Sequence, residues 1–368
     1  MKLKLPKFKI ILSVLNIVCI VFIIVFNSLS AKQINGLTSQ RGAEKWQNGN
    51  DLNYSHISCF FAKDSGMDIN TVNSIKNEIK NAMVTASLQE EEGSRLWIDA
   101  YTSSLGKLEV LGTKRGTART EITAVTSDFF LIHDFQFIDG SYFREEEISQ
   151  NGIVIDSMLA WQIFGSDNVK GMTAEINNIS FYVAGVVKNP ENSAEKKTYG
   201  SFPRAYISYQ GAESLFKNVS SSSLASATAS SVSPVNSESI TVDSYEAVIP
   251  NPVKKFAYNT LSEFIGNQYE NTSYTLENSD RFGFSKSFKR LRHLSNSVVI
   301  NNAVEYPWWE NSARVTEVKV SLNLFAIVVF SIIPIITLLI IFIKLFKYIA
   351  SMHIIKRLIE KIKSKIPY

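Results

Sequence analysis

The chain has 368 residues, 45% of them hydrophobic and 20% charged, with a formal net charge of +4, which is ordinary for a folded protein of one or two domains. Residues 1–9 and 344–368 together carry ten net positive charges, so everything between them is acidic by six, and the basic balance is no sign of nucleic-acid binding. Two cysteines, Cys19 in an apolar run and Cys59 outside it, have no means of pairing, and a large exported domain without disulfides points to a bacterial surface.

In chain order, residues 1–9 hold Lys2, Lys4, Lys7 and Lys9 and no acid. Residues 10–31 carry no charge, and as a helix they would span about 33 Å at ~1.5 Å rise per residue, enough for a bilayer core. The run is longer than the apolar core of a cleaved signal peptide, so the expectation is an uncleaved signal anchor. After a polar connector, "SHISCFFA" reads as a strand. Asp68 caps an expected helix in which Ile69, Val72, Ile75, Ile79 and Met83 recur at helical spacing. "RLWIDAYTSS" and "KLEVLGT" alternate as two strands, and "RTEITAV" adds a third.

Within residues 137–215, "NGIVID" is an apolar strand and Asp156 caps a helix through "SMLAWQIF" that stops at Gly165. "GMTAEINNISFYVAGVVKN" is a strand pair with its turn at Asn177-Asn178. Residues 216–239 are a Ser/Ala-rich segment, read as a flexible loop. The first kind of unit then returns: "ITVDSYEAVIP" as a strand, a helix from Asn251 and Pro252 through Gly266, and "TSYTLEN" as a strand. Two β-α-β units separated by an insertion predict an α+β domain of split ferredoxin-like type carrying a mostly-β insert.

Residues 307–319 form an expected stalk helix starting at Pro307, and residues 320–343 a second uncharged run, about 36 Å long as a helix. Trp309 would stand about 16 Å beyond the start of that run, too far for the aromatic belt at headgroup level. The expectation is that Trp308 and Trp309 pack under the domain while Val315, Val318 and Leu322 face the other span; tryptophans of a plain core are the alternative. Pro334 is a candidate hinge. In residues 344–368, Ile354, Ile355, Leu358 and Ile362 alternate with Arg357 and Lys361 as a basic amphipathic helix. It either lies on an anionic inner leaflet or docks a cytoplasmic partner. The charge bias puts both termini in the cytoplasm and the large domain outside, a two-span protein of the bacterial cell membrane.

The ordered series of Phe129-Phe130, Gly140 to Phe143, "IVID", Ala160, Phe164-Gly165, Gly171 and "VAGVV", with "YEAVIPNPV" and "YPWWENSAR" downstream, resembles the extracytoplasmic domain of MacB-like and FtsX-like ABC transporter permeases of Firmicute type. The resemblance implies a porter part (32–136 and 240–306) with an inserted Sabre part (137–215). It also implies a separate cytoplasmic ABC ATPase whose hydrolysis moves the outer domain. That movement would export or extract a peptide or lipid-like substrate, or relay to an outer partner. The family's usual permease has four spans and only two are expected here, which makes the chain either a two-span branch completed by a second permease subunit or a homo-oligomer, or a shortened gene. The alternative is a non-transporting membrane scaffold or sensor that uses the outer domain for protein contacts.

No motif for other chemistry appears. "GTKRGTART" lacks the spacing of a phosphate-binding GxxxxGK[ST] loop. The histidines His56, His133, His293 and His353 show no metal spacing, and the Glu90–Glu92 and Glu145–Glu147 runs read as solvated turns. No cofactor, no metal and no enzyme activity is expected.

Overall fold

The computed structural model describes residues 7–47, 52–90, 94–113, 116–144, 151–222, 240–293 and 303–351. The tail positions Ile354, Ile355, Arg357, Leu358, Lys361 and Ile362, the acidic residues 91–92 and 145–147, and the Ser-rich residues 223–239 lie outside them.

Helix α1 (Lys7–Asn35) is followed by a 3-10 turn (Thr38–Gln40) and α2 (Gly42–Gln47). Then come β1 (Tyr54–Phe61), α3 (Ile69–Thr85), β2 (Ile98–Gly112), β3 (Thr117–Val125), α4 (Phe129–Ile132), β4 (Phe137–Gly140), β5 (Gly152–Asp156) and α5 (Ser157–Phe164). The chain continues through β6 (Thr173–Ile176), β7 (Ile179–Val187), α6 (Ser193–Tyr199), β8 (Arg204–Ser208), α7 (Tyr209–Ser222), β9 (Ser244–Pro250), α8 (Phe256–Tyr269) and β10 (Ser273–Glu277). Two helices close it, α9 (Phe284–Arg292) and α10 (Trp308–Ser351).

All described strands join one sheet in the order β10-β1-β9-β2-β3-β8-β5-β7-β4, with β6 bridging β2 and β7. The run β10-β1-β9-β2 is antiparallel throughout. With α3 after β1 and α8 after β9, it is the split ferredoxin-like arrangement expected from sequence. β3 and the strands of residues 137–208 (β4 to β8) continue the same sheet rather than founding another.

The joint between the two parts is β2, and here the structure corrects the sequence reading. The two expected strands are one, because Gly106 at φ +76° takes up a register shift between Ser104 and Gly106 without ending the strand. A glycine is suited to that left-handed position. Its first half pairs with β9 and its second with β3 and β6. Two further corrections concern helices. α7 runs to Ser222, past the expected loop boundary at 216. α8 begins at Phe256 after Lys255 at φ +70°, not at Pro252, although Asn251 Oδ1 still accepts from Ala257 N at 3.3 Å.

Local signals elsewhere have their expected partners. Asp68 accepts from Thr71 N at 2.8 Å and Asp156 from Leu159 N at 2.7 Å, each capping its helix. Gly165 closes α5 in the left-handed region, and Asn177 and Asn178 make the β6–β7 turn at positive φ.

Period-two alternation sorts the sheet into two faces. Ile57, Cys59 and Phe61 of β1 and Tyr245, Ala247 and Ile249 of β9 face α3 and α8 in one apolar core. The opposite face packs Tyr54, Ile98, Val125, Phe129, Tyr206 and Val248 around Trp308 and Trp309.

The described residues divide into two units. Residues 35–283 and 303–317 make the sheet unit; residues 7–34, 284–293 and 318–351 make the other. Within the latter, α1 and α10 are long and apolar enough to cross a membrane. They run antiparallel and meet along a seam: Asn323 Nδ2 donates to Ser30 Oγ at 3.1 Å, Phe330 stacks on Phe22 at 4.7 Å, and Asn16 Nδ2 donates to Thr337 Oγ1 at 3.1 Å. The α10 members of that seam are seven residues apart, the spacing that keeps one face of a helix towards a neighbour. Leu322 is 48% exposed, and Val318 is half-buried. Polar and aromatic side chains thus punctuate the contact between the two helices. Pro334 lies inside α10, which continues on both sides of it.

Candidate functional site

The most polar part of the buried interior is where α10 begins. Its first turn starts just after Pro307, whose carbonyl accepts from Asn311 N at 3.0 Å, as suits a proline at a helix entrance. The first three residues, Trp308, Trp309 and Glu310, are all buried, and each takes hold of a different part of the sheet unit.

Trp309 reaches the centre. Its Nε1 donates to Glu246 Oε1 at 2.8 Å, and its ring meets Phe129 and His133 edge-on. Glu246 is at this spot because β9 alternates. Tyr245 and Ala247 face α3 and α8, so Glu246 faces α10, opposite Ser58 on β1 and Ala100 on β2. Its second oxygen lies 2.8 Å from His56 Nε2 and 3.4 Å from His133 Nε2. Burial alone would raise the Glu246 carboxyl, but His133 and then His56 reverse that and hold it below the ordinary carboxylate range. With the carboxylate ionised, His56 Nε2 donates to it. The polar chain continues through Ser58 Oγ, 3.4 Å from His56 Nε2, to Asn278, whose Nδ2 donates to Ser58 at 2.7 Å.

Asn278 in turn receives Arg281 Nη1 at 3.2 Å, and Arg281 is the second hold. Its guanidinium grips Glu310 with two bonds of 2.6 and 2.7 Å and gives Nε to Glu317 at 2.7 Å. Arg314 adds a third cation–carboxylate bond to Glu310, 2.6 Å, and lies 3.5 Å over the Tyr306 ring. Burial works against charge on Arg281, yet Glu310 and Glu317 outweigh it and raise its pKa further above the arginine range. Two arginines and two glutamates leave the cluster neutral, the condition under which buried charges survive.

Trp308 makes the third hold. It packs edge-on against Tyr199 of α6 at 4.9 Å, and Tyr199 donates its hydroxyl to Asp156 Oδ2 at 2.9 Å. Asp156 also accepts from Arg204 N and Asn189 Nδ2, so this path enters the insertion through β5 and β8. α6 serves the other connector too. Glu195 Oε1 accepts from Thr38 N at 3.1 Å and from Thr38 Oγ1 at 3.4 Å, which ties the turn following α1 to the same short helix.

Glu195 makes this joint pH-dependent. Burial raises its carboxyl to about 7, with the Thr38 bonds opposing. The folded protein therefore holds this proton where the unfolded chain has lost it, and the stability it contributes is full below about 4.5 and disappears as pH rises through about 7. Wild type should lose up to about 3 kcal/mol more than Glu195→Gln between pH 5 and pH 8, at ~1.4 kcal/mol per unit. Urea denaturation at the two pH values measures it, and equal losses would mean that the glutamate is solvated.

Of the residues singled out from sequence, Trp308 and Trp309 belong to this site, while Val318, Leu322 and Pro334 fall in the unit of the two apolar helices and Val315 has no part in the bonds described. His56 and His133, scattered in sequence, share one carboxylate. Sequence reasoning missed Glu246, Arg281, Glu310, Glu317, Tyr199 and Glu195. The signal available was a glutamate inside the apolar strand "YEAVIP", on the face opposite Tyr245 and Ala247. Among the described residues no His/Cys/Asp/Glu group has the arrangement of a metal site. The cluster is buried, and its bonds fix the first turns of α10 to both parts of one sheet.

A family model for the MacB-like periplasmic core domain matches residues 13–251. The macrolide export ATP-binding/permease protein MacB of Chlorobium phaeobacteroides is 30% identical over 129 residues, 34% of this chain and 16% of that protein. Among solved structures, the periplasmic region of MacB from Actinobacillus actinomycetemcomitans is similar at 14% identity and a TM-score of 0.39, over 64% of this chain and 94% of that one. The extracellular domain of the noncanonic ABC-type transporter YknZ from Gram-positive bacteria is similar at 10% identity and a TM-score of 0.35, over 60% and 99%.

Proposed function

The chain belongs to the MacB-like periplasmic core domain family, and from that premise we propose that it is the permease-like membrane subunit of an ABC-type system. In this reading it is not an enzyme. A separate cytoplasmic ATPase hydrolyses ATP, α1 and α10 carry the displacement through the lipid, and the extracytoplasmic domain changes shape to export or extract a peptide or lipid-like substrate or to act on an outer partner. Both termini are cytoplasmic, and a second permease subunit or another copy of the chain completes the membrane part.

The observation that carries the proposal is the triple hold on the head of α10. A helix that only anchored a domain could end in a pliable linker. This one enters the sheet at Glu246, grips Arg281 and leans on Tyr199 within its first three residues, so any shift of its axis is felt in both parts of the sheet. The second connector is fixed to the same α6 by Glu195.

The test is affinity purification of the full-length tagged chain in mild detergent. An ATPase is expected to copurify, and Leu358→Glu with Ile362→Glu in the basic tail to release it, because two carboxylates would replace the apolar stripe of that amphipathic segment. Absence of any ATPase would favour a membrane scaffold or sensor. Copurification that survives the double substitution would remove the tail from the docking role while leaving the transporter reading in place.

A further inference from the structure

Helix α9 reads FSKSFKRLR: three large apolar residues, four cations and no acid. Phe284, Phe288 and Leu291 stand at i, i+4 and i+7 and fall within about 60° of one another at ~3.6 residues per turn. On a helix packed into a protein core that stripe faces inward. Here the order is reversed: Phe284 and Phe288 are 68% and 43% exposed, while Ser287 is buried. The two phenylalanine rings lie nearly parallel, 6.2 Å apart at 10°, making one flat apolar plate. Lys289 and Arg292, both exposed, flank the plate, and Lys286 and Arg290 are half-buried. α9 groups with the two apolar helices and not with the sheet unit.

We propose that α9 is an in-plane membrane-surface helix, whose two phenylalanines enter the acyl region while Lys289 and Arg292 bind the phosphates of anionic lipid. The charge decides between lipid and protein. The exposed Lys289 and Arg292, on a helix that carries no acid of its own, match a surface of phosphates. Two phenylalanine rings expose far less area than the roughly 800 Å² per partner of a stable protein interface. Amphipathic segments with phenylalanine on one face and lysine and arginine on the other lie in this plane, the long cationic stems reaching back to the headgroups. The position also fits, because α9 shares its unit with both spans. The inference rests on the membrane reading of α1 and α10 and not on coupling to an ATPase.

The test uses the full-length chain in lipid nanodiscs, where both leaflets have one composition and orientation does not enter. Cys19 and Cys59 are buried, so an environment-sensitive NBD label is directed to Ser285→Cys, on the exposed side of α9. In discs of phosphatidylcholine with phosphatidylglycerol the emission should be blue-shifted and quenched by lipids carrying a shallow doxyl group. In pure phosphatidylcholine both effects should shrink. Lys289→Glu with Arg292→Glu should abolish the dependence on phosphatidylglycerol, and Phe284→Ala with Phe288→Ala should abolish the quenching. Emission at the aqueous wavelength in both lipids would overturn the proposal. So would a blue shift indifferent to lipid and to charge reversal but dependent on the density of labelled chains, which would place a second copy on α9. Failure of the chain to enter discs at all would be a different result, removing the membrane reading first.

Discussion

Arg281→Met should lower the unfolding free energy of the outer domain by about 3–5 kcal/mol, the usual cost of leaving a buried charge without its partner. The guanidinium satisfies Glu310 twice and Glu317 once, and it also donates to Asn278. Methionine fills similar volume but donates nothing. Arg314 still holds one oxygen of Glu310, yet Glu317 loses its 2.7 Å bond from Arg281 Nε, and the chain of bonds from Asn278 towards His56 loses its anchor. Restoring neutrality should restore much of the stability: Arg281→Met with Glu317→Gln removes the surplus carboxylate and leaves Arg314 paired with Glu310, one charge of each sign. Urea denaturation of the full chain in detergent, followed by near-ultraviolet circular dichroism, measures both variants. A loss under about 1 kcal/mol for the single substitution is the range of exposed pairs and would mean that water reaches the cluster.

The contrast between what could and could not be read from sequence follows the range of the interactions. Asp68 with Thr71, Asp156 with Leu159, and the Asn177-Asn178 turn act within four residues, and their chemistry is written in the adjacent letters. The ferredoxin-like pairing was legible because each β-α-β unit announces itself by a change of period from two to 3.6. β2 was misread as two strands because "SSLGK" carries the letters of a turn, whereas Gly106 takes a bulge conformation inside a strand held on both edges. The head of α10 was invisible for a plainer reason. His56 and Glu246 are 190 positions apart, Arg281 and Glu310 are 29 apart with residues 294–302 between them, and no periodic pattern links them. The polar seam between the spans was equally invisible: Asn16 with Thr337 and Ser30 with Asn323 are 321 and 293 positions apart, and in lipid, where acyl chains solvate apolar residues as well as a partner helix does, hydropathy alone does not mark a contact face.

Trp309→Ala should separate hydrolysis from motion. Truncation removes the ring from between Phe129 and His133 and takes the Nε1 donor from Glu246, with an expected cost of about 3–5 kcal/mol for the lost packing. Glu310 and Trp308 keep their own partners, so the helix head stays attached at two places and loses its fastening to the centre of the sheet. In the reconstituted complex the ATPase should continue to turn over, while ATP-dependent distance changes between probes on α3 and α7 should fall roughly tenfold, as for a coupling weakened by ~1.4 kcal/mol. Two conservative variants divide the effect. Trp309→Phe keeps most of the ring and loses only the donor, and Glu246→Gln keeps an acceptor for Trp309 but gives up the charge that His56 and His133 share. If the hydrogen bond to a charged centre transmits the displacement, both should be impaired while folding stays cooperative. If only bulk under the sheet matters, Phe at 309 should behave as wild type. A complex whose outer domain moves normally with Ala at 309 would show that displacement enters by Glu310 and Arg281 alone, and the central glutamate would then be a determinant of folding and not of force transfer.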